Sequence, residues 1–144
     1  MVRFSRKIEY ALLAMQYITV NNNRVTSAKE ISENFNLSFE FLSKTLQSLM
    51  KNGLITSQQG IKGGYLLGKS PEEITVADVV FAIEGKTSIV DCFVKNEEDF
   101  ICNRSSNCTI KNPMRKIQKK IEDIFSSTTI QEISHTANKN LKTA

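Results

Sequence analysis

The chain has 144 residues, with 19 Lys and Arg against 15 Asp and Glu for a net charge of +4, three cysteines, one histidine and no tryptophan. At 40% hydrophobic and 24% charged it has the composition of an ordinary globular protein, neither disordered nor fibrous, and its length suits one compact domain or a small domain with an extension. The longest unbroken apolar run, residues 10–15 (YALLAM), is far short of the roughly 18 residues that span a bilayer, and the opening MVRFSRKIEY lacks the apolar block of a signal peptide, so a cytoplasmic chain without a membrane segment is expected.

The first predicted helix covers about residues 5 to 20, with Ile8, Leu12, Met15 and Ile18 at helical spacing as its buried stripe. Tyr10, Leu13 and Tyr17 lie off that stripe, which implies contact on more than one side. After a polar turn at 21–24, Ser27 stands three residues before Glu30, the reciprocal capping-box spacing, and opens a short second helix ending near Asn34. Ser38 is a good cap for a third helix, with Glu40 in its favoured first turn. Leu42, Leu46 and Leu49 form the inward stripe there and leave Ser43, Lys44, Gln47, Ser48 and Lys51 outside.

Two short helices separated by three or four residues, the second with an apolar back and a polar front, have the form of a helix-turn-helix. Asn52-Gly53 ends the third helix, residues 54–57 have strand character, and Tyr65-Leu66-Leu67 makes a second strand across the turn Gln58-Gln59-Gly60-Ile61-Lys62-Gly63-Gly64. Three glycines let such a turn approach a phosphate or enter a groove without side-chain obstruction. A hairpin directly after a helix-turn-helix is the expected place for a wing.

A fourth helix is predicted from Thr75 as cap, with Asp78 in the capping-box position and Val76, Val79, Val80 and Ile83 facing inward, and it stops at Glu84-Gly85. Residues 86–111 show no periodicity and hold all three cysteines, Cys92, Cys102 and Cys108. Next, Asn112 is a candidate cap with Pro113 at the first helical position. Met114, Ile117, Ile121 and Ile124 then trace a narrow seam over residues 113 to 125, which implies a partner helix and hence dimerisation. Residues 129–133 add a last short turn, and 135–144, including a solvated His135, reads as a frayed tail.

The cysteines are odd in number and crowd into a 17-residue window, which argues against a disulfide framework. They are not paired as in a zinc knuckle, and histidine cannot supply a local fourth ligand. Free thiols, an iron-sulfur cluster and zinc all stay open on spacing alone. With a single histidine and no acid/base or nucleophile pair, an enzyme is not expected. Residues 1 to 69 hold nine Lys and Arg and four Asp and Glu, net +5, and residues 70 to 144 hold ten and eleven, net −1. The basic half is the one that carries the helix-turn-helix, as a polyanion-binding module requires.

These segments together resemble the Rrf family of winged helix-turn-helix transcriptional regulators, the IscR/NsrR/RirA/CymR type, over essentially residues 1 to 133. The resemblance runs through Phe4-Ser5-Arg6-Lys7-Ile8-Glu9-Tyr10-Ala11-Leu12, Glu30-Ile31-Ser32, Leu37-Ser38, Phe41-Leu42, Leu49 and Lys51-Asn52-Gly53-Leu54-Ile55-Thr56-Ser57. It continues through Gly60, Gly63-Gly64-Tyr65 and Leu67 of the wing, Ile74-Thr75-Val76, Asp78-Val79 and Ala82-Ile83-Glu84-Gly85. It implies a mainly α fold with a small β-hairpin wing: a winged helix-turn-helix domain at 1–85, a cysteine-containing loop at 86–111, a dimerisation helix and short C-terminal helix at 112–134, and a flexible tail at 135–144.

The resemblance further implies a homodimer that binds double-stranded operator DNA, most simply as a repressor, and an iron-sulfur cluster, [2Fe-2S] or [4Fe-4S], on Cys92, Cys102 and Cys108. Expected DNA-binding residues are Ser38, Phe39, Glu40, Ser43 and Lys44 of the third helix, and Gln59, Gly60, Lys62 and Gly63 of the wing. Two positions depart from the family pattern. Lys111 stands where IscR-like members complete the site with histidine, whereas Glu9 matches the acidic first-helix ligand that NsrR-like members take from the partner subunit, which makes Glu9 the candidate fourth ligand. In the wing, Gln59-Gly60 replaces the common Arg-Gly, so arginine reading of the minor groove is absent or passed to Lys62. The alternative is a cofactor-free regulator or adaptor of the same fold, working through a partner protein or thiol oxidation.

Overall fold

A computed structural model describes residues 3–85, 88 and 107–137 of the chain. Eight elements follow in order: α1 (Arg6–Val20), α2 (Ala28–Phe35), α3 (Phe39–Lys51), β1 (Ile55–Gln58), β2 (Gly64–Leu67), α4 (Val76–Glu84), α5 (Lys111–Ser127) and α6 (Ile130–His135). The fold is mainly helical with one two-stranded antiparallel hairpin, as the sequence predicts.

Helix α1 starts where the Ser5 hydroxyl accepts from the Ile8 N–H, and it packs against α3, α4 and α6. That central position widens its buried surface. Ile8, Met15 and Ile18 are buried as their spacing predicts, but Tyr17, Ala11 and Ala14 are buried too, and Leu12 only in part. The contact on more than one side expected from Tyr10, Leu13 and Tyr17 is present, because a helix that packs against three others has more than one inward face, and that surface also takes in Ala11 and Ala14.

Helix α2 begins with half of the predicted capping box. The Ser27 hydroxyl accepts from the Glu30 N–H at 3.1 Å, but the Glu30 carboxylate turns to Arg24 and Tyr17 instead of returning to the cap. Asn36, at φ 52°, closes α2 in the left-handed region that asparagine tolerates. Ser38 then caps α3, and Leu42, Leu46 and Leu49 are fully buried on its inner face.

Gly53 (φ 73°) turns the chain into β1, which pairs with β2 in the register Ile55↔Leu67, Thr56↔Leu66, Ser57↔Tyr65 and Gln58↔Gly64. A further rung anchors this hairpin to the body. The Thr26 N–H donates to the Tyr65 carbonyl at 3.0 Å, and the Tyr65 N–H returns to the Thr26 carbonyl at 2.7 Å. Glycine is required at position 64, since a Cβ there would lie 2.5 Å from the Thr26 carbonyl oxygen.

Helix α4 has the complete capping box predicted for it: the Asp78 N–H donates to the Thr75 hydroxyl at 3.1 Å and the Thr75 N–H to the Asp78 carboxylate at 2.9 Å. Helix α5 differs from expectation at its start. Asn112 is not the cap; the helix begins at Lys111 behind Ile110, which offers no side-chain cap, and the Met114 N–H donates to the Ile110 carbonyl at 2.9 Å. Pro113 is thus the third helical residue, where its missing N–H is still one that a helix start leaves unpaired.

The C-terminal end of α5 docks on α4 and on the entrance to α1, where Phe4 stacks on Phe125 with ring centroids 5.5 Å apart beside Ile8, Val76 and Val80. From there the Val76 N–H donates to the Thr128 carbonyl and the Ile130 N–H to the Ile74 carbonyl, and the Gln16 amide reaches the Ile133 carbonyl at 2.6 Å. These bonds fasten α6 to the body. The helix runs through His135, which is exposed, and Ala137 still packs on the core, so regular structure enters the stretch read from sequence as tail.

The predicted seam of α5 is split. Gln118 is buried and Met114, Ile121 and Phe125 are half-buried, which marks the face turned to its own chain. Ile110, Ile117 and Ile124, spaced seven residues apart, stand 61%, 46% and 60% exposed.

Candidate nucleic-acid interface and cluster ligands

The outer face of α3 collects most of the predicted contact residues. Ser38, Phe39, Glu40 and Lys44 are exposed and Ser43 is half-buried, with Phe39 open to 53% although it is a large apolar ring. The face is held from behind by the buried leucines. It is also braced from α1, where Tyr10 meets Phe41 edge to face at 4.9 Å. Arg6 and Lys7 at the start of α1 border grooves shared with Phe41, and Lys7 lines one of them together with Lys44 and Ser48, so cations from two helices lie side by side there.

The wing is a tight turn on an anchored base. The Gly63 N–H donates to the Gly60 carbonyl at 3.0 Å, and a Cβ at position 63 would lie 2.5 Å from the Gln58 carbonyl oxygen, which explains the glycine there. Gly60, at φ 119°, adopts a backbone that only glycine takes readily. Gln59, Gly60 and Lys62 are exposed, Gly63 half-buried, and Ile61 at the tip is open to 107%.

Between α1 and α2 lies a network that spacing does not reveal. The Arg24 guanidinium forks onto both carboxylate oxygens of Glu30, and the Tyr17 hydroxyl donates to Glu30 Oε1 at 2.8 Å. The Arg24 hydrogen bonds hold the Glu30 carboxyl below the usual carboxylate range against the opposing effect of its burial, and the Tyr17 hydrogen bond lowers it further. Burial first, then the bond to Glu30, pushes the Tyr17 phenol up. Arg24 reads from sequence only as part of a polar turn. Arg24 lies in a turn and its partner Glu30 in the next helix, so no period within one element links them and no sequence signal singles the pair out.

Of the candidate cluster ligands, Cys92 and Cys102 lie outside the described residues. Cys108 is half-buried with a free thiol, three residues before α5. Glu9 is exposed in the first turn of α1 and takes part in none of the ion pairs among the described residues, a surface bridge to Arg6 or Lys7 included. No three metal-ligating side chains cluster among the described residues. Phe4, at the entrance to α1, touches Phe125, whereas Cys108 leads into the opposite end of α5; from Lys111 to Phe125 the helix rises about 21 Å at ~1.5 Å per residue. Among the described residues no helix is long and apolar enough to cross a membrane.

Comparison with known proteins agrees with this architecture. Residues 4–136 match the Rrf2 family model, described as an iron-dependent transcriptional regulator. The chain is 31% identical over 133 residues to the HTH-type transcriptional regulator IscR of Photorhabdus laumondii, covering 92% of this chain and 79% of that protein. It is 29% identical over 133 residues to the HTH-type transcriptional regulator NsrR of Bacillus licheniformis, covering 92% of each. Among solved structures it is similar to CymR, the global cysteine regulator of B. subtilis, with a TM-score of 0.76 and 28% identity over 94% of this chain and 98% of that one. An exposed outer face of α3 backed by leucines, an anchored hairpin and a family match over nearly the whole chain lead to one conclusion: the protein belongs to the Rrf2 family and is a DNA-binding transcriptional regulator, not an enzyme.

Proposed function

We propose that the protein is a homodimeric operator-binding repressor whose affinity for DNA is set by an iron-sulfur cluster, [2Fe-2S] or [4Fe-4S], held by Cys92, Cys102 and Cys108 of one protomer and Glu9 of the partner subunit. The residue types fit that group. Thiolates are the usual ligands of such clusters, Glu9 presents a carboxylate without an ion-pair partner among the described residues, and the ammonium of a lysine such as Lys111 has no lone pair to donate. Supply of Glu9 from the partner accords with Phe4 and Cys108 lying at opposite ends of α5 within one chain. When bound, the cluster supplies a centre reactive to nitric oxide, redox state or iron supply.

The observation that carries this reading is the Tyr10–Phe41 contact. Tyr10 is the neighbour of Glu9 on α1, and Phe41 belongs to α3, so a pull on the first turn of α1 bears directly on the recognition helix. Two such helices, one per protomer, enter major grooves about one helical turn apart. Ser38, Ser43 and Lys44 contact phosphates or base edges, Glu40 accepts from a cytosine amino group, and Phe39 packs on a thymine methyl. In the wing, Gln59, Gly60, Lys62 and Gly63 approach the adjacent backbone.

The likeness to CymR and the half-buried free thiol of Cys108 favour one second reading, a cofactor-free regulator of the same fold that responds through its thiols. Visible and electron-paramagnetic spectra of anaerobically purified wild type beside Glu9→Ala separate the two. Iron, sulfide and a coloured protein whose spectrum changes in Glu9→Ala are expected. Colourless wild type free of iron and sulfide would overturn the cluster, and a coloured pair with identical spectra would remove Glu9 from it.

A further inference from the structure

The wing tip offers the nucleic acid an apolar group as well as a cation. The hairpin is fixed at Tyr65 by the paired bonds to Thr26, and beyond that anchor the chain turns tightly through Gly60, Ile61, Lys62 and Gly63. Ile61 and Lys62 are the two central residues of this turn and the only two there with side chains. The middle of such a turn ordinarily takes Pro, Asn, Asp, Ser or Gly, residues that fix or tolerate its backbone or hydrogen-bond to it. Here a β-branched aliphatic stands there, 107% exposed and so without any covering contact among the described residues.

Single exposed aliphatics are common on protein surfaces, and exposure alone would carry nothing. Ile61 differs in standing at the far end of a hairpin anchored at Tyr65, with Gln59 and Lys62 beside it and no bulk on the flanking glycines. Two side chains between glycines present little bulk to a minor groove about 6 Å wide. An aliphatic side chain placed there leaves the groove-floor acceptors of either base pair without a donor, but at G·C steps it covers the guanine amino group as well, so A·T steps are the less costly to occupy.

We propose that Ile61 is a specificity-determining residue: it enters the minor groove flanking each half-site as an apolar wedge that selects A·T steps, while Lys62 contacts the neighbouring phosphate. This rests on the reading above that α3 and the wing face DNA. The two tip residues then have separable effects. Ile61 sets base preference at the flank, and Lys62 sets part of the salt dependence.

The test is selection by the anaerobically purified full chain from random duplexes of about 30 base pairs, roughly three helical turns, followed by titration of the recovered duplex and of a copy with flanking A·T pairs changed to G·C. Wild type and Ile61→Val are expected to recover A·T at the flanks and to bind the G·C copy about tenfold more weakly. Ile61→Ser is expected to lose that tenfold difference while keeping its melting temperature and its slope of log affinity against log salt. Lys62→Ala should keep the flank preference and reduce the salt slope by about one. Ile61→Ser with an unchanged flank preference would overturn the assignment. Failure of the wild type to recover any duplex would overturn the DNA-facing reading itself, and this inference with it.

Discussion

Glu30 occupies the position of a capping-box acid, yet its carboxylate joins the turn before α2 to the interior of α1 by accepting from both Arg24 and Tyr17. Because the bonds from Arg24 lower its folded pKa, the stabilisation it gives is complete above the ordinary carboxylate range and disappears as pH falls through the folded value. Arg24 is 40% exposed, so solvent screens the pair and reduces its worth. Replacing Glu30 by Gln should cost about 1–2 kcal/mol near neutral pH, lowering the melting temperature by several degrees, with the gap to wild type closing at acid pH. Thermal unfolding across pH checks this, and a gap that is constant with pH would contradict it. At this scale the sequence is half legible. The Ser27–Glu30 spacing correctly opens α2, but the second use of Glu30 depends on Arg24 and Tyr17, which only the folded chain brings to it.

At the scale of elements, periodicity is legible where a helix has one buried face and a side-chain cap. Helices α3 and α4 meet both conditions, and their caps and most of their stripes match the sequence reading, although Ile83 is only half-buried and Thr45 and Ala82 are buried beside the predicted residues. Helix α1 meets only the second, since three neighbours bury Tyr17 and the alanines off its predicted stripe. Helix α5 fails the second. It starts without a side-chain cap at Ile110, and the Asn112-Pro113 signal misplaces its beginning. Its predicted seam divides between two faces, with Met114 and Ile121 partly covered within the chain and Ile117 and Ile124 left open, at heptad spacing with Ile110, which the predicted seam does not include. If those isoleucines meet their counterparts in a second copy, Ile117→Glu should turn the dimer into a folded monomer at micromolar concentration, because it puts an unpaired charge into the seam. Sedimentation velocity decides the matter. A wild type that sediments as a monomer, or a variant that stays dimeric, would contradict the assignment.

Across the whole molecule, α1 occupies the position through which a signal and a response can meet. It carries Glu9 on its exposed first turn, Tyr10 against the recognition helix, Ile8 beside the C-terminal end of α5, and Gln16 bonded to α6. The winged helix-turn-helix and the family it belongs to are legible in the sequence because its motifs are ordered and local. The proposed cluster site is legible only as residue types, because a ligand supplied by a second chain would leave no spacing to read. Control of DNA binding by the proposed cluster is tested most directly by the dissociation constant of one operator duplex, measured anaerobically for cluster-loaded protein and again after the cluster has been removed, at one salt concentration. A coupling of about 1–3 kcal/mol predicts constants that differ roughly 5- to 150-fold. Equal constants, in protein shown to have carried iron and sulfide, would contradict it.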